Sequence, residues 1–171
     1  MRLTHCNLDR FQEFFKTKDE VTVRNITMRF QAIAKECATQ STGNASYSCT
    51  DTFKKCGTPA DGIIAYTHVA TNAMIMCPMY FQLELLTKKC HGYDQSTTVV
   101  HELTHAEAVF YPKTDDYAYG YPQSFRLSKE KAFNNAETYE LFAQCKWPIL
   151  MPFKPYKMLI SFSIIAIGVG C

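Results

Sequence analysis

Apolar residues return at spacings of three and four from Val23 through Ile26, Phe30, Ile33 and Ala34 to Cys37, which is the stripe of an amphipathic helix. Upstream, residues 11 to 15 form a short aromatic patch that ends in the charged run Lys16-Thr17-Lys18-Asp19-Glu20. Residues 39 to 62 are rich in Thr, Ser, Gly, Asn and Asp and predict loop and turn. Ile63-Ile64-Ala65-Tyr66-Thr67 and Ala73-Met74-Ile75-Met76-Cys77 are short apolar runs between turn formers, the pattern of buried strands. A brief helix is expected over residues 80 to 87 and a turn at Cys90-His91-Gly92-Tyr93. A longer helix should start at Asp94 or Ser96, both good N-caps, and carry Val99, Val100, Leu103 and Ala106. Pro112 bars its continuation, so residues 111 to 123 read as loop. One last helix, capped by Ser128, should bear Ala132, Phe133, Ala136, Tyr139, Leu141 and Phe142.

Composition narrows the class. The chain has 171 residues, 47% of them hydrophobic and 20% charged, enough for one domain with a sizeable core. Its 18 basic and 16 acidic residues leave a net charge of +2, so bulk charge does not point to a nucleic-acid partner. Eight cysteines suggest disulfides made in an oxidising compartment, and the sequons Asn25-Ile26-Thr27 and Asn44-Ala45-Ser46 point the same way. Met1 to Asp9 lacks the apolar core of a secretory signal, so any such signal is expected upstream of this chain.

Character changes at residue 146. Three prolines, at 148, 152 and 155, precede the apolar run from Met158 to Val169. That run is shorter than a bilayer requires, so neither a membrane anchor nor a membrane partner is expected. Residues 1–145 are taken as one folded domain and residues 146–171 as an atypical tail, a core strand or a stretch foreign to the native protein.

The chemistry lies in His101-Glu102-Leu103-Thr104-His105, inside the predicted long helix. Side chains four apart sit one above the other on a helical face, so both imidazoles can hold a single zinc ion. Glu102 would then stand beside the metal, close enough to take a proton from a bound water. A catalytic zinc needs a third protein ligand and an open position. Asp115, Asp116, Glu130 and Glu137 are the downstream candidates, and the loop after Pro112 favours one of the two adjacent aspartates without choosing between them.

His101-Glu102-x-x-His105 followed by Thr114-x-Asp116-x-x-Tyr119-Gly120 resembles the deuterolysin group of fungal zinc endopeptidases, the aspzincins, whose second motif is Gly-Thr-x-Asp-x-x-Tyr-Gly. The similarity extends from about Phe11 to Gln144. It takes in Tyr47-x-Cys49-x-Asp51, Ile64-Ala65-Tyr66-Thr67, Cys90-His91-x-x-Asp94-Gln95-x-Thr97-Thr98 and Asn135-Ala136-Glu137-Thr138-Tyr139. The resemblance implies an α+β, zincin-like fold, mostly helical, with a small sheet beside the active helix. It implies a secreted zinc endopeptidase, monomeric and with one zinc per chain, acting on polypeptides. His101, His105 and Asp116 would bind the metal, Glu102 would be the general base, and Tyr119 would donate a hydrogen bond to the oxyanion. Tyr80 matches another tyrosine implicated in the family and would contact substrate.

The resemblance also pairs Cys56 with Cys77 and Cys49 with an N-terminal cysteine, here Cys6. Cys90 would pair with the terminal cysteine, for which Cys145 and Cys171 compete, leaving Cys37 over. Lys113 replaces the glycine of the family motif, so a positive φ there would strain the loop. Relatives carry further helical sequence before the position of Phe11, so the chain is expected to be truncated there, and the tail beyond residue 145 matches nothing in them. Glu137 and Glu140, three apart on the last helix, share a face, and the segment around them is similar to the peptidyl-Lys endopeptidases. They would attract a lysine side chain placed after the scissile bond. Two other readings follow from the same residues: an inactive, truncated homologue, and a zincin of another branch with Glu130 or Glu137 as third ligand.

Overall fold

The central helix forms because its first turn is capped three times over. In the computed structural model, which describes residues 5–39 and 42–144 (backbone only for 5–8), Asp94 is the N-cap of Gln95–His105. Its carboxylate accepts from Thr97 N at 2.8 Å, and the carbonyls of Glu84 and Leu85 accept from Gln95 N and Ser96 N. The amides that a helix start leaves unpaired are thus satisfied, and a cap of this kind contributes about 1 kcal/mol.

Elements are numbered here in chain order: α1 His5–Phe15, α2 Glu20–Cys37, β1 Ser46–Ser48, β2 Ala65–His68, β3 Ala73–Met76, α3 Gln95–His105, α4 Tyr121–Ser124, α5 Lys129–Phe133 and α6 Ala136–Gln144. Short 3-10 turns lie at Pro59–Asp61, Val69–Thr71 and Tyr80–Gln82. The sheet has the order β1-β3-β2, with β1 parallel and β2 antiparallel to the central strand. The architecture is α+β.

Every residue of α3 is buried, between α6 on one side and the edge strand β2 on the other. Aromatic packing fixes the outer layer: Phe11 and Phe15 of α1 meet Phe142 of α6 at ring separations of 4.9 and 5.3 Å, and Phe15 meets Tyr139 at 5.0 Å. The α2 stripe buries Val23, Ile26, Ile33 and Cys37 as its spacing predicts, together with two charged residues, Arg29 and Glu36.

Several elements differ from the sequence reading. The aromatic patch is the end of an eleven-residue helix. Ser46–Ser48 adds a strand inside the stretch read as loop, and the helix expected over 80 to 87 is a single 3-10 turn. The active helix ends at His105, before Pro112 can act on it, because Ala106 turns to an extended conformation. The last helix is broken at Asn134 and Asn135, where the backbone of Asn134 accepts from Asp115 N at 2.8 Å and Ala136 N donates to Asp115 O at 3.0 Å. This bridge brings the Asp115 and Asp116 segment against the start of α6.

Cys56 is bonded to Cys77. Cys49 and Cys90 are also disulfide-bonded, and Cys37 is free and buried. The side chains of Cys6, Cys145 and Cys171, and with them the tail, lie outside the described residues. No helix among the described residues is long and apolar enough to cross a membrane.

Candidate active site

An open cleft of about 690 Å³ runs between β2, α3, the loop after Lys113 and α6. The helical spacing of α3 sets His101 and His105 on its wall, ring centroids 5.2 Å apart. Asp116 faces both: its Oδ1 is 3.2 Å from His101 Nε2 and its Oδ2 is 3.3 Å from His105 Nε2. Asp115 turns away, 55% exposed, to pair with Lys113 Nζ at 2.6 Å. Structure therefore separates the two aspartates that sequence spacing alone does not.

Both imidazoles are oriented from behind. Thr114 is completely buried; its N–H donates to Thr104 O at 3.0 Å, and its carbonyl oxygen lies 3.0 Å from His105 Nδ1. A proton on Nδ1 satisfies that carbonyl and leaves Nε2 with its lone pair toward Asp116. His101 Nδ1 faces Glu140 Oε2 at 3.1 Å and Glu137 Oε2 at 3.5 Å. Burial opposes charge on His101, but the carboxylates of Asp116, Glu137 and Glu140 outweigh it and hold its pKa well above the ordinary imidazole value. For Asp116 burial works against ionisation, yet the two histidines hold its carboxyl far below the usual range.

Glu102, next to His101 on α3, is buried and lines the same cleft, where Thr67 Oγ1 of β2 lies 2.8 Å from its Oε2 and 2.9 Å from its carbonyl oxygen. Tyr119 is 56% exposed at the cleft edge, its ring nearly parallel to that of His101 at 6.1 Å. Partial burial, then the charge of Asp116, push its phenol up to about 12.

Other expected residues fall elsewhere. Tyr80 is fully buried in the core and does not line the cleft, so the expectation that it meets substrate is corrected. Glu130 sits exposed at the first turn of α5, away from the imidazoles, which removes it as a third ligand. Glu137 approaches His101 on its Nδ1 side, opposite to Asp116, and also accepts from Gly120 N at 2.8 Å and Tyr93 OH at 3.1 Å. Glu137 and Glu140 do share a face and line the cleft, but as almost wholly buried groups rather than an open acidic surface. Lys113 does not have a positive φ, so the strain expected from the missing glycine does not arise.

The donor set suits a divalent metal of the zinc type: two imidazole nitrogens and one carboxylate oxygen, all within 4.8 Å of one another, with the Thr114 carbonyl against the second nitrogen of His105 and two carboxylates facing that of His101. The model of the deuterolysin metalloprotease (M35) family matches residues 4–151. The chain belongs to this family. It is 41% identical over 163 residues to a neutral protease 2 homolog of Aspergillus fumigatus strain CBS 144.89, covering 95% of the chain and 43% of that relative. A second A. fumigatus homolog, from strain ATCC MYA-4609, is 47% identical over 135 residues, 78% of the chain and 36% of the relative. A neutral protease 2 homolog of Coccidioides posadasii is 44% identical over 80% of the chain and 38% of its own length. The chain thus spans about two fifths of the length of these curated relatives. Its fold is similar to that of a zinc peptidase from Grifola frondosa, with a TM-score of 0.56 at 21% identity over 79% of this chain and 75% of that one.

Thr67, Tyr93, Thr114 and Asn135 escaped sequence reasoning as site residues. Thr67, Thr114 and Asn135 lie in segments that match the family, but each acts through a partner outside its own segment, and periodicity carries no trace of that role.

Proposed function

We propose that the chain is the catalytic unit of a zinc-dependent endopeptidase, with His101, His105 and Asp116 as metal ligands. The observation that carries this reading is the approach of both Nε2 atoms to the two oxygens of one carboxylate. Zinc held there would supply Lewis-acid polarisation of the scissile carbonyl and lower the pKa of water.

The chain's own groups do the rest. Glu102, on the turn between the two imidazoles, accepts the proton of the attacking water and passes it to the leaving amine, its carboxylate aimed by Thr67. Tyr119 donates its phenolic hydrogen to the oxygen on which negative charge grows, an interaction stronger in the transition state than in the ground state. Glu137 and Glu140, at the deep end of the cleft, favour a lysine after the scissile bond, the ammonium becoming a second partner to carboxylates that already face His101 Nδ1. The Cys56–Cys77 disulfide and the exposed sequon at Asn44 support action outside the cell.

Purified protein should bind about one zinc per chain and cleave unfolded polypeptides. Glu102→Gln should keep the metal and lose cleavage, and Asp116→Asn should lose the metal. Full metal content in D116N would overturn the ligand assignment, and zinc without turnover in the parent would favour an inactive homologue. Cleavage sites without enrichment for lysine after the cut would remove the specificity.

A further inference from the structure

Arg29 lies in the middle of α2, is 1% exposed, and among the described residues no carboxylate pairs with it. A buried cation without a counter-ion is unfavourable unless something else replaces its water. Here two carbonyls and two rings do so. Nη1 donates to Thr104 O at 3.3 Å and Nη2 to Pro112 O at 2.7 Å, while the guanidinium carbon stands 4.8 Å from the centre of the Phe110 ring and 5.1 Å from that of Tyr139. Thr104 O belongs to the last turn of α3, the negative end of the helix dipole, where a cation is favoured. The planar fork of arginine can bridge two carbonyls at fixed separation, which a lysine ammonium on a flexible stem cannot do in the same way.

What those carbonyls flank is informative. Thr104 immediately precedes His105, and Pro112 lies four residues before Asp116. Thr104 O also receives Thr114 N at 3.0 Å, and the carbonyl of Thr114 is the partner of His105 Nδ1. Arg29 therefore holds the start of the segment that joins one donor of the metal site to the next and a second point four residues short of its end, and it does so from a helix 75 residues away in sequence. We propose that Arg29 is a positioning residue for the metal site: gripping the carbonyls of Thr104 and Pro112, it fixes the span between His105 and Asp116 and so sets the spacing of the donors. The inference rests on the ligand set proposed above.

The experiment measures the affinity of the full chain for Zn2+ by competition with a chromophoric chelator, in parallel with thermal unfolding in excess chelator, for the parent, Arg29→Met and Arg29→Lys. Arg29→Met should retain a cooperative transition and lose about tenfold or more in zinc affinity, the range seen for residues that orient ligands. Arg29→Lys, which keeps a charge but not the two-pronged grip, should fall between it and the parent. Parent-like affinity in both variants, with only the unfolding temperature lowered, would make Arg29 a packing residue and overturn the proposal. If Arg29→Met does not fold, Arg29→Lys decides: weakened zinc binding at a native unfolding temperature supports the role, and parent-like binding ends it. Failure of the parent itself to bind zinc is a different result, which removes the metal site and this role together.

Discussion

Thr67 Oγ1 lies within hydrogen-bond distance of both Glu102 Oε2 and Glu102 O, at 2.8 and 2.9 Å, and its single hydrogen can serve only one of them at a time. The edge strand of the sheet is thereby tied to the carboxylate proposed as base. When the hydrogen is on Oε2, it fixes one oxygen and leaves Oε1 to take a proton. Removing the hydroxyl while keeping the branched shape, in Thr67→Val, should lower kcat about tenfold, the value of one hydrogen bond to a charged group. Zinc content and KM should stay near those of the parent, since Thr67 is absent from the proposed ligand set. Thr67→Ser should restore most of the rate. Steady-state kinetics beside metal analysis tests this, and an unchanged kcat in the valine variant would leave Thr67 as a sheet residue only.

Asn135 does for the loop what Thr67 does for the base. Completely buried, its side-chain oxygen accepts from Tyr117 N at 2.8 Å and Ala118 N at 3.1 Å, and its amide nitrogen donates to Ala118 O at 3.2 Å and Thr138 Oγ1 at 3.1 Å. The two backbone residues it holds are those between Asp116 and Tyr119. Asn135→Ala would leave several buried groups without partners, each costing about 1–3 kcal/mol, so a stability loss of at least that size is expected in denaturant unfolding. Asn135→Asp keeps the volume but turns a donor toward the Ala118 carbonyl into an acceptor. It should lose zinc affinity as well as stability, and retention of both would show that the loop holds itself.

Legibility in the sequence follows the range of the interaction. The active helix was readable because its cap, its apolar positions and its two imidazoles all lie within one twelve-residue stretch from Asp94 to His105. The strands at 65–68 and 73–76 were readable for the same reason, as apolar runs between turn formers. The break in the last helix was not, since Phe133 and Ala136 keep the helical spacing across it while its cause is a backbone bridge to Asp115. Ser46–Ser48 becomes a strand only because β3 is there to pair with it. Lys113 misled in the other direction, as a departure from the family motif that the loop absorbs without a left-handed residue. Glu137 and Glu140 were placed correctly on one face by their spacing, but that spacing says nothing of His101, which lies on the other side of the α3 and α6 contact.

The cysteines allow a test that does not depend on activity. Cys37 ends α2 inside the core, 1% exposed, and its thiol pKa is pushed far up by burial and then by the neighbouring Glu36 carboxylate. Only the thiolate reacts with alkylating agents, so a buried thiol with a raised pKa is protected twice over. In the native protein at pH 8, iodoacetamide should leave the peptide containing Cys37 unmodified, and the same reagent in denaturant should label it fully. Cys56 and Cys77 should resist labelling in both states until a reductant is added, since they are joined to each other. Their bond closes a loop between positions 21 apart, and opening it by Cys56→Ala with Cys77→Ala should lower stability by about 3 kcal/mol. Mass spectrometry of the labelled peptides reads all three states at once. Rapid native labelling at Cys37 would mean that the C-terminal end of α2 opens readily, and with it the packing that surrounds Glu36 and the turn leading to β1.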